Sequence, residues 1–366
     1  MGVELDIIPI ADWFSDISNA PVIISGPCSA ESYQQVVNTA KELHKTGKVN
    51  VFRAGVWKPR TRPNSFEGVG EIAFEWLKEV KEQFGFKIAV EVASREHVQI
   101  ALRNHVDILW IGARTASNPF SMTELASELA GTNIPVLVKN PINPDIELWI
   151  GALERLNKAG VKKIAAIHRG FFPFEPSEFR NIPLWEVPIE LRLRCPSLPI
   201  INDPSHISGD RSLLFDVAQK AMDLDFCGLM IESHCNPDNA KSDAKQQVTP
   251  ADLNRLLNRL VIRDNRSADK SYKDQIDTYR KQIDEIDDRL LNLLWQRMDV
   301  VRRIGDIKNR SGVKILQLNR WESLVRKLIT KGTKLGLSEV FIKKLLQLVH
   351  KESIQQQAEV MNKKED

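Results

Sequence analysis

A thiol, an imidazole and two carboxylates stand at Cys28, His206, Glu232 and Asp243. Mixed thiolate, imidazole and carboxylate donors suit a divalent first-row metal such as Mn²⁺, Fe²⁺, Co²⁺ or Zn²⁺. Singly, each has a bland explanation as a buried thiol or a hydrogen-bonded acid. Their positions argue otherwise. Cys28 follows one short apolar, β-branched run, His206 follows a second, Glu232 ends a third, and Asp243 lies in the loop beyond it. Arg53, Glu91, Arg114, Lys139 and Arg169 close or follow further runs of the same kind. A formal net charge of +3 is too small to draw nucleic acid, so any anion binding must come from such locally placed Lys and Arg.

The elements that must position these residues are eight predicted strands: Pro21–Ser25, Val49–Arg53, Lys87–Val92, Ile108–Gly112, Pro135–Lys139, Lys163–His168, Leu198–Asp203 and Gly228–Glu232. Amphipathic stretches such as Ser32–His44, Gly70–Phe84 and Ile146–Ala159 separate them. Strands alternating with helices imply right-handed βαβ units and a parallel sheet. Eight units favour closure into a (β/α)8 TIM barrel, whose active site lies at the C-terminal ends of its strands. No Gly-x-Gly-x-x-Gly follows the first strand, which argues against a dinucleotide-binding open sheet. Closure sets the first and eighth strands side by side, so the four candidate metal ligands can converge. Residues 236–248 read as a long loop over that site.

With 366 residues, the chain exceeds the roughly 250 a barrel needs. The expected organisation is a barrel over 1–262, a polar linker over 263–271 and an all-α domain over 272–366. In that last part Ile276, Tyr279, Ile283, Ile286, Leu290 and Leu293 recur at spacings of three and four, predicting one helix over about 272–309. Two more helices are expected near Leu318–Lys331 and Ser338–Asn362. Arg297 falls inside the apolar seam, where an unpaired cation is costly and so must be paired or bind something. Arg280 is seventeen residues earlier, about 25 Å along the axis, so both can serve one small ligand only if Arg280 comes from a second subunit. Apolar content of 42% and charged content of 27% are ordinary for a globular protein. No apolar run is long enough to span a membrane, and four cysteines without a CxxC pair do not read as a disulfide framework. Cys195 and Cys227 read as buried free thiols, and the expected location is cytoplasmic.

The motifs Gly26-Pro27-Cys28-Ser29, Lys58-Pro59-Arg60-Thr61, Ile111-Gly112-Ala113-Arg114, His168-Arg169-Gly170, Asp203-Pro204-Ser205-His206 and Ser242-Asp243 resemble those of 3-deoxy-D-arabino-heptulosonate 7-phosphate (DAHP) synthases, in the same order. The resemblance implies condensation of phosphoenolpyruvate with erythrose 4-phosphate, with Cys28, His206, Glu232 and Asp243 on the metal, Mn²⁺ first among the choices. It implies that Arg53, Ala113, Arg114, Lys139 and Arg169 hold phosphoenolpyruvate and that Arg60 and Thr61 hold the aldose phosphate. Lys58 is the implied proton donor and Glu91 an orienting group. Lys-Pro-Arg-Thr separates the family from the octulosonate 8-phosphate synthases, which carry an Asn-containing loop there.

Arg280, Arg297, Lys308, Arg320, Ser353 and Gln357 are similar in spacing to the all-helical chorismate mutases, which are intertwined dimers. That resemblance implies a homodimer or larger assembly that rearranges chorismate to prephenate. Arg280, Arg297 and Arg320 would hold the carboxylates, while Lys308 and Gln357 would face the ether oxygen and Ser353 would line the site. Gln317 and Trp321 stand where the family commonly has Asp and Glu, leaving recognition of the substrate hydroxyl unassigned. The alternative reading makes this domain a ligand-sensing dimerisation module with little turnover. With no separate domain seen before the first strand, feedback inhibition of the barrel is expected to act through the helical domain, by prephenate.

Overall fold

Each apolar run forms a strand in the computed structural model, which describes residues 2–15, 21–58, 66–263 and 270–362. The strands are β1 (Val22–Gly26), β2 (Val51–Ala54), β3 (Lys87–Val92), β4 (Ile108–Ile111), β5 (Val136–Lys139), β6 (Ile164–His168), β7 (Ile200–Asn202) and β8 (Gly228–Glu232). All neighbours pair in parallel in sequence order, and β1 also pairs with β8, closing the barrel. Between and after them run α1 (Tyr33–Thr46), α2 (Ile72–Phe84), α3 (Arg95–Arg103), α4 (Ala113–Ala116), α5 (Pro119–Leu129) and α6 (Ile146–Lys158). The rest of the barrel has α7 (Glu186–Arg194), α8 (Pro204–Ser208), α9 (Leu214–Asp223) and α10 (Pro250–Arg259).

Alternation along the strands decides what each side chain meets. Val22 and Ile24 of β1 point into the barrel with Val51, Trp110, Leu137 and Met230, whereas Ile23 packs with Phe52 and Leu109 beneath the helices. Trp13, Ile10 and Phe14 pack against the interior residues at the strand beginnings. Helix starts follow their caps: the side chains of Ser32, Ser94, Asn118 and Asp145 accept backbone N–H bonds from the first turns of α1, α3, α5 and α6. The N-terminal end is thereby filled with hydrophobes, and the polar strand ends are left to the opposite mouth.

Residues 1–265 and 266–366 form two separate units. The second consists of α11 (Lys270–Arg310), α12 (Leu318–Lys334) and α13 (Glu339–Met361). Helix α11 starts two residues before the sequence reading placed it and runs for 41 residues. Within this unit Ile283, Ile286, Leu290 and Leu293 are each at least half exposed, although their spacing marks them as a buried seam. Among the described residues no helix is long and apolar enough to cross a membrane.

Candidate active sites

The barrel site begins with a close approach of backbones. At Gly26 (φ 151°) a Cβ would lie 2.1 Å from the Arg53 carbonyl oxygen, so only glycine lets β1 end this near β2. Two residues on, Cys28 is fully buried, its N–H donating to Gln247 Oε1 at 2.9 Å. Its Sγ lies 3.3 Å from both Asp243 Oδ2 and Ser242 Oγ, and Lys58 Nζ donates to it at 3.1 Å. Gly55 makes that reach possible, because a Cβ there would sit 2.5 Å from the Cys28 carbonyl and 2.9 Å from Lys58 Nζ.

Arg53 is buried at the end of β2, with its guanidinium 4.6 Å above the Trp110 ring. It pairs with Glu232 Oε1 at 3.2 Å and donates to the Cys28 carbonyl at 3.0 Å. Gln246 donates to the other oxygen of Glu232 at 2.7 Å. The ligand atoms of Cys28, Glu232 and Asp243 lie within 4.8 Å of one another. His206 stands at the edge of this cluster, its Nε2 3.8 Å from Glu232 Oε1 and its Nδ1 2.8 Å from Asp203 Oδ2.

Burial, with Glu232 and Asp243 adding to it, pushes the Cys28 thiol up to about 12 against the pull of Lys58 and Arg53. Burial also opposes ionisation of Asp243, yet Arg180, His206 and Lys58 outweigh it and hold that carboxyl below the usual range. For Glu232, burial is likewise overcome by His206 and Arg53. A buried thiol crowded by two ionised carboxylates, with an imidazole alongside, fits a divalent cation: the ion's charge would relieve the crowding and displace the thiol proton.

The remaining cations ring this cluster. Lys139 is buried and pairs with Asp203 at 2.8 Å. Arg169 donates to Asn181 Oδ1 at 2.8 Å while its own N–H is held by Asn140 Oδ1 at 2.7 Å. Burial, then Arg180 and Arg114 nearby, bring Arg169 down to about 10 despite Asp203, so these groups share one field. Ala113 and Arg114 open α4 just past β4, where Arg114 is exposed. Glu91 and Lys58 line a common cavity of about 200 Å³ with Trp57, Glu67, Ala93 and His97. Arg60 and Thr61 lie outside the described residues.

Sequence reasoning missed Arg180, which donates to Asp243 Oδ1 at 3.0 Å and Gln246 Oε1 at 2.6 Å. It sits in the loop after β6 that a bridge between Phe171 and Ile182 folds back over the barrel, and no periodicity marks it. It also missed Trp57 stacked on His97, with ring centroids 3.9 Å apart.

In the helical unit, Arg297 of α11 donates to Ser353 Oγ of α13 at 2.6 Å, which supplies the partner its place in the seam requires. Lys308 Nζ donates to the Ile315 carbonyl at 2.5 Å, and Gln357 Nε2 to the Ser353 carbonyl at 3.2 Å. Both expected ether-facing donors are thus turned onto backbone, and among the described residues the buried Gln357 Oε1 has no partner. Arg280 is exposed, pairs with Asp277 at 3.3 Å and does not join Arg297. Arg320 is exposed on α12. Trp321 of α12 stacks on His350 of α13, with centroids 3.9 Å apart and planes at 14°.

Comparison with known proteins agrees with both halves. A family model described as DAHP synthetase I family matches residues 16–266, and one described as chorismate mutase type II matches 279–358. A phospho-2-dehydro-3-deoxyheptonate aldolase of Thermotoga maritima is 35% identical over 227 residues, covering 62% of this chain and 64% of its own. The chain therefore spans slightly under two thirds of that relative's length. A 2-dehydro-3-deoxyphosphooctonate aldolase of Agrobacterium fabrum is 27% identical over 264 residues, covering 66% of this chain and 88% of its own. Among solved structures, the Thermotoga maritima DAHP synthase matches with TM-score 0.59 at 33% identity, over 65% of this chain and 67% of that one. A truncated form of that synthase matches at TM-score 0.57 and 30% identity, over 65% and 84% of the two chains.

Proposed function

Since the chain belongs to the DAHP synthetase I family and carries a type II chorismate mutase domain behind its barrel, we propose that it is a bifunctional enzyme of aromatic biosynthesis. The barrel condenses phosphoenolpyruvate with erythrose 4-phosphate to give DAHP and phosphate. The helical domain rearranges chorismate to prephenate. The observation that carries the first reading is the convergence of Cys28, Glu232 and Asp243, with Lys58 on the thiol, Lys139 on Asp203 and Arg169 in the field of Asp203 and Asp243. Lys58-Pro59-Arg60-Thr61 favours the heptulosonate over the octulosonate reaction.

Cys28, His206, Glu232 and Asp243 would hold a divalent metal, Mn²⁺ or another first-row ion, which when bound supplies Lewis-acid polarisation of the aldehyde carbonyl. Arg53, Arg114, Lys139 and Arg169 bind the carboxylate and phosphate of phosphoenolpyruvate, each guanidinium able to hold an oxyanion pair in two-point fashion. Ala113 offers backbone beside them, and Arg60 and Thr61 hold the aldose phosphate. Burial would neutralise Lys58, but Cys28, Glu91 and Glu232 outweigh burial and Arg53 and raise it above the ordinary ammonium range. Its Nζ is therefore charged and able to give a proton to the alkoxide as the enol carbon attacks. Glu91 orients that ammonium across the shared cavity.

The mutase reaction is pericyclic and needs no nucleophile, only two carboxylates clamped in a compact conformer and donors on the breaking ether. Arg297 and Arg280 clamp, with Arg320 in support, while Lys308 and Gln357 swing from their backbone carbonyls to the ether oxygen beside Ser353. Arg280 reaches the site from a second copy, and the exposed row Ile283, Ile286, Leu290 and Leu293 is the face a homodimer would bury. Four free cysteines support a cytoplasmic location. The test uses the full-length protein. It should consume phosphoenolpyruvate only with erythrose 4-phosphate, stop after EDTA, resume with Mn²⁺, and remove chorismate absorbance. Turnover without phosphoenolpyruvate, or full activity free of metal, would defeat the barrel reading. Stable chorismate would defeat the mutase reading in favour of a sensing module.

A further inference from the structure

The polar groups of chorismate are two carboxylates, an ether oxygen and a ring hydroxyl. The first three need donors, and the helical unit supplies them as Arg297, Lys308 and Gln357. The hydroxyl needs an acceptor that is not already bound, and an uncharged one leaves the neighbouring arginines to the carboxylates.

Helix α13 runs in the same sense as α11. Arg297 meets Ser353, Arg302 meets Gln356 at 3.1 Å, and Gly305 lies against Gln357. Gln357 is therefore at the Lys308 end of the site. His350 is at the other end, one helical turn before Ser353 and two before Gln357, so all three share a face of α13. The Oε1 of Gln357, without a partner among the described residues and on a residue more than nine-tenths buried, marks that face as one built for a ligand.

At its far end the imidazole of His350 lies almost flat on the indole of Trp321. Stacking fixes the ring plane and leaves the ring edge, with its nitrogens, free to bond. Among the described residues those nitrogens make no hydrogen bond. Burial holds the imidazole below its ordinary range and Arg297 pushes it the same way; both favour the neutral ring, which carries one acceptor nitrogen.

Resting on the mutase reading above, we infer that His350 accepts the ring hydroxyl of chorismate and that Trp321 is the positioning residue holding it there. The pair thus supplies, from two helices, the recognition that a carboxylate at position 321 would otherwise provide.

The test compares wild type, His350→Phe, His350→Gln, Trp321→Ala and Trp321→Phe in the full-length protein. The substrates are chorismate and an analogue with hydrogen in place of the ring hydroxyl. His350→Phe keeps a flat ring on the indole but loses the acceptor. Its kcat/KM for chorismate should fall about tenfold or more, while the analogue is turned over as by wild type. His350→Gln should recover part of the loss. Trp321→Ala should fall with His350→Phe, and Trp321→Phe should be rescued. A His350→Phe variant within twofold of wild type on chorismate, or one that loses equally on both compounds, would overturn the assignment. Wild type inert toward chorismate would instead overturn the mutase reading itself, which no comparison among variants can mimic.

Discussion

Cys28 and Cys195 are both fully buried thiols, and only their neighbours tell them apart. Burial raises Cys195 too, but among the described residues it joins no cluster of possible metal ligands. Cys28→Ser should fold and lose about a hundredfold or more in condensation rate, as should His206→Ala, whereas Cys195→Ser stays near wild type. Steady-state rates with a metal titration check this. A second residue-scale prediction concerns His168, which is wholly buried at the end of β6. Its Nε2 donates to the Pro183 carbonyl at 2.6 Å, and its Nδ1 accepts from Asn202 at 3.1 Å, so the fold uses the neutral ring. Burial lowers it to about 4 from the ordinary 6.5, against the pull of Pro183 and Asp203. The unfolded chain binds that proton first, so the stabilisation is full above pH 6.5 and drains as pH falls toward 4, by about 3 kcal/mol. Melting temperature should drop across that window, and His168→Gln should flatten the drop at the cost of lower stability at neutral pH. Cys28 was legible in the sequence because it follows an apolar run inside a motif. Arg180 was not, because its loop is placed by one bridge and carries no pattern.

At the scale of elements, strands and helices were legible because each obeys one period, two residues for the barrel walls and three to four for α11. Strand limits moved by a residue or two where a flanking proline or glycine was read as strand, as at Pro21 and Gly112. Contacts between elements were not legible. The Trp321–His350 stack joins two helices, and the Lys58–Cys28 contact crosses from the β2 loop to the β1 end. Gly55→Ala tests the latter. Its methyl would press on the Cys28 carbonyl and on Lys58, shifting the ammonium off the thiol, with an expected loss of about a hundredfold in condensation and unchanged chorismate turnover. The length of α11 sets another test, since Arg280 and Arg297 cannot meet within one straight helix. Arg280→Ala and Arg297→Ala should each be nearly inactive as mutases, yet recover roughly a quarter of wild-type activity when mixed, because each heterodimer has one intact composite site. No recovery despite subunit exchange would make Arg280 a surface residue.

For the whole molecule, the question is why two sites so different in chemistry share one chain. Direct transfer between them is implausible, because several reactions separate the product of the first from the substrate of the second. We propose sensing instead: a ligand in the helical domain would report output downstream of the reaction proposed for the barrel. A ligand shifts an equilibrium only by its differential affinity for two arrangements, so feedback by prephenate would require it to bind one arrangement of the protein more tightly, with coupling of about 1–3 kcal/mol. Removing residues 263–366 should abolish inhibition, although a barrel that depends on the dimer would also lose rate. The most direct measurement is initial synthase rate against prephenate concentration, in the full-length protein and in Arg297→Ala. The account predicts inhibition of the full-length protein by prephenate at concentrations where phenylalanine and tyrosine do little, with the curve displaced or lost in Arg297→Ala. Equal inhibition of both proteins, or none in either, would contradict it.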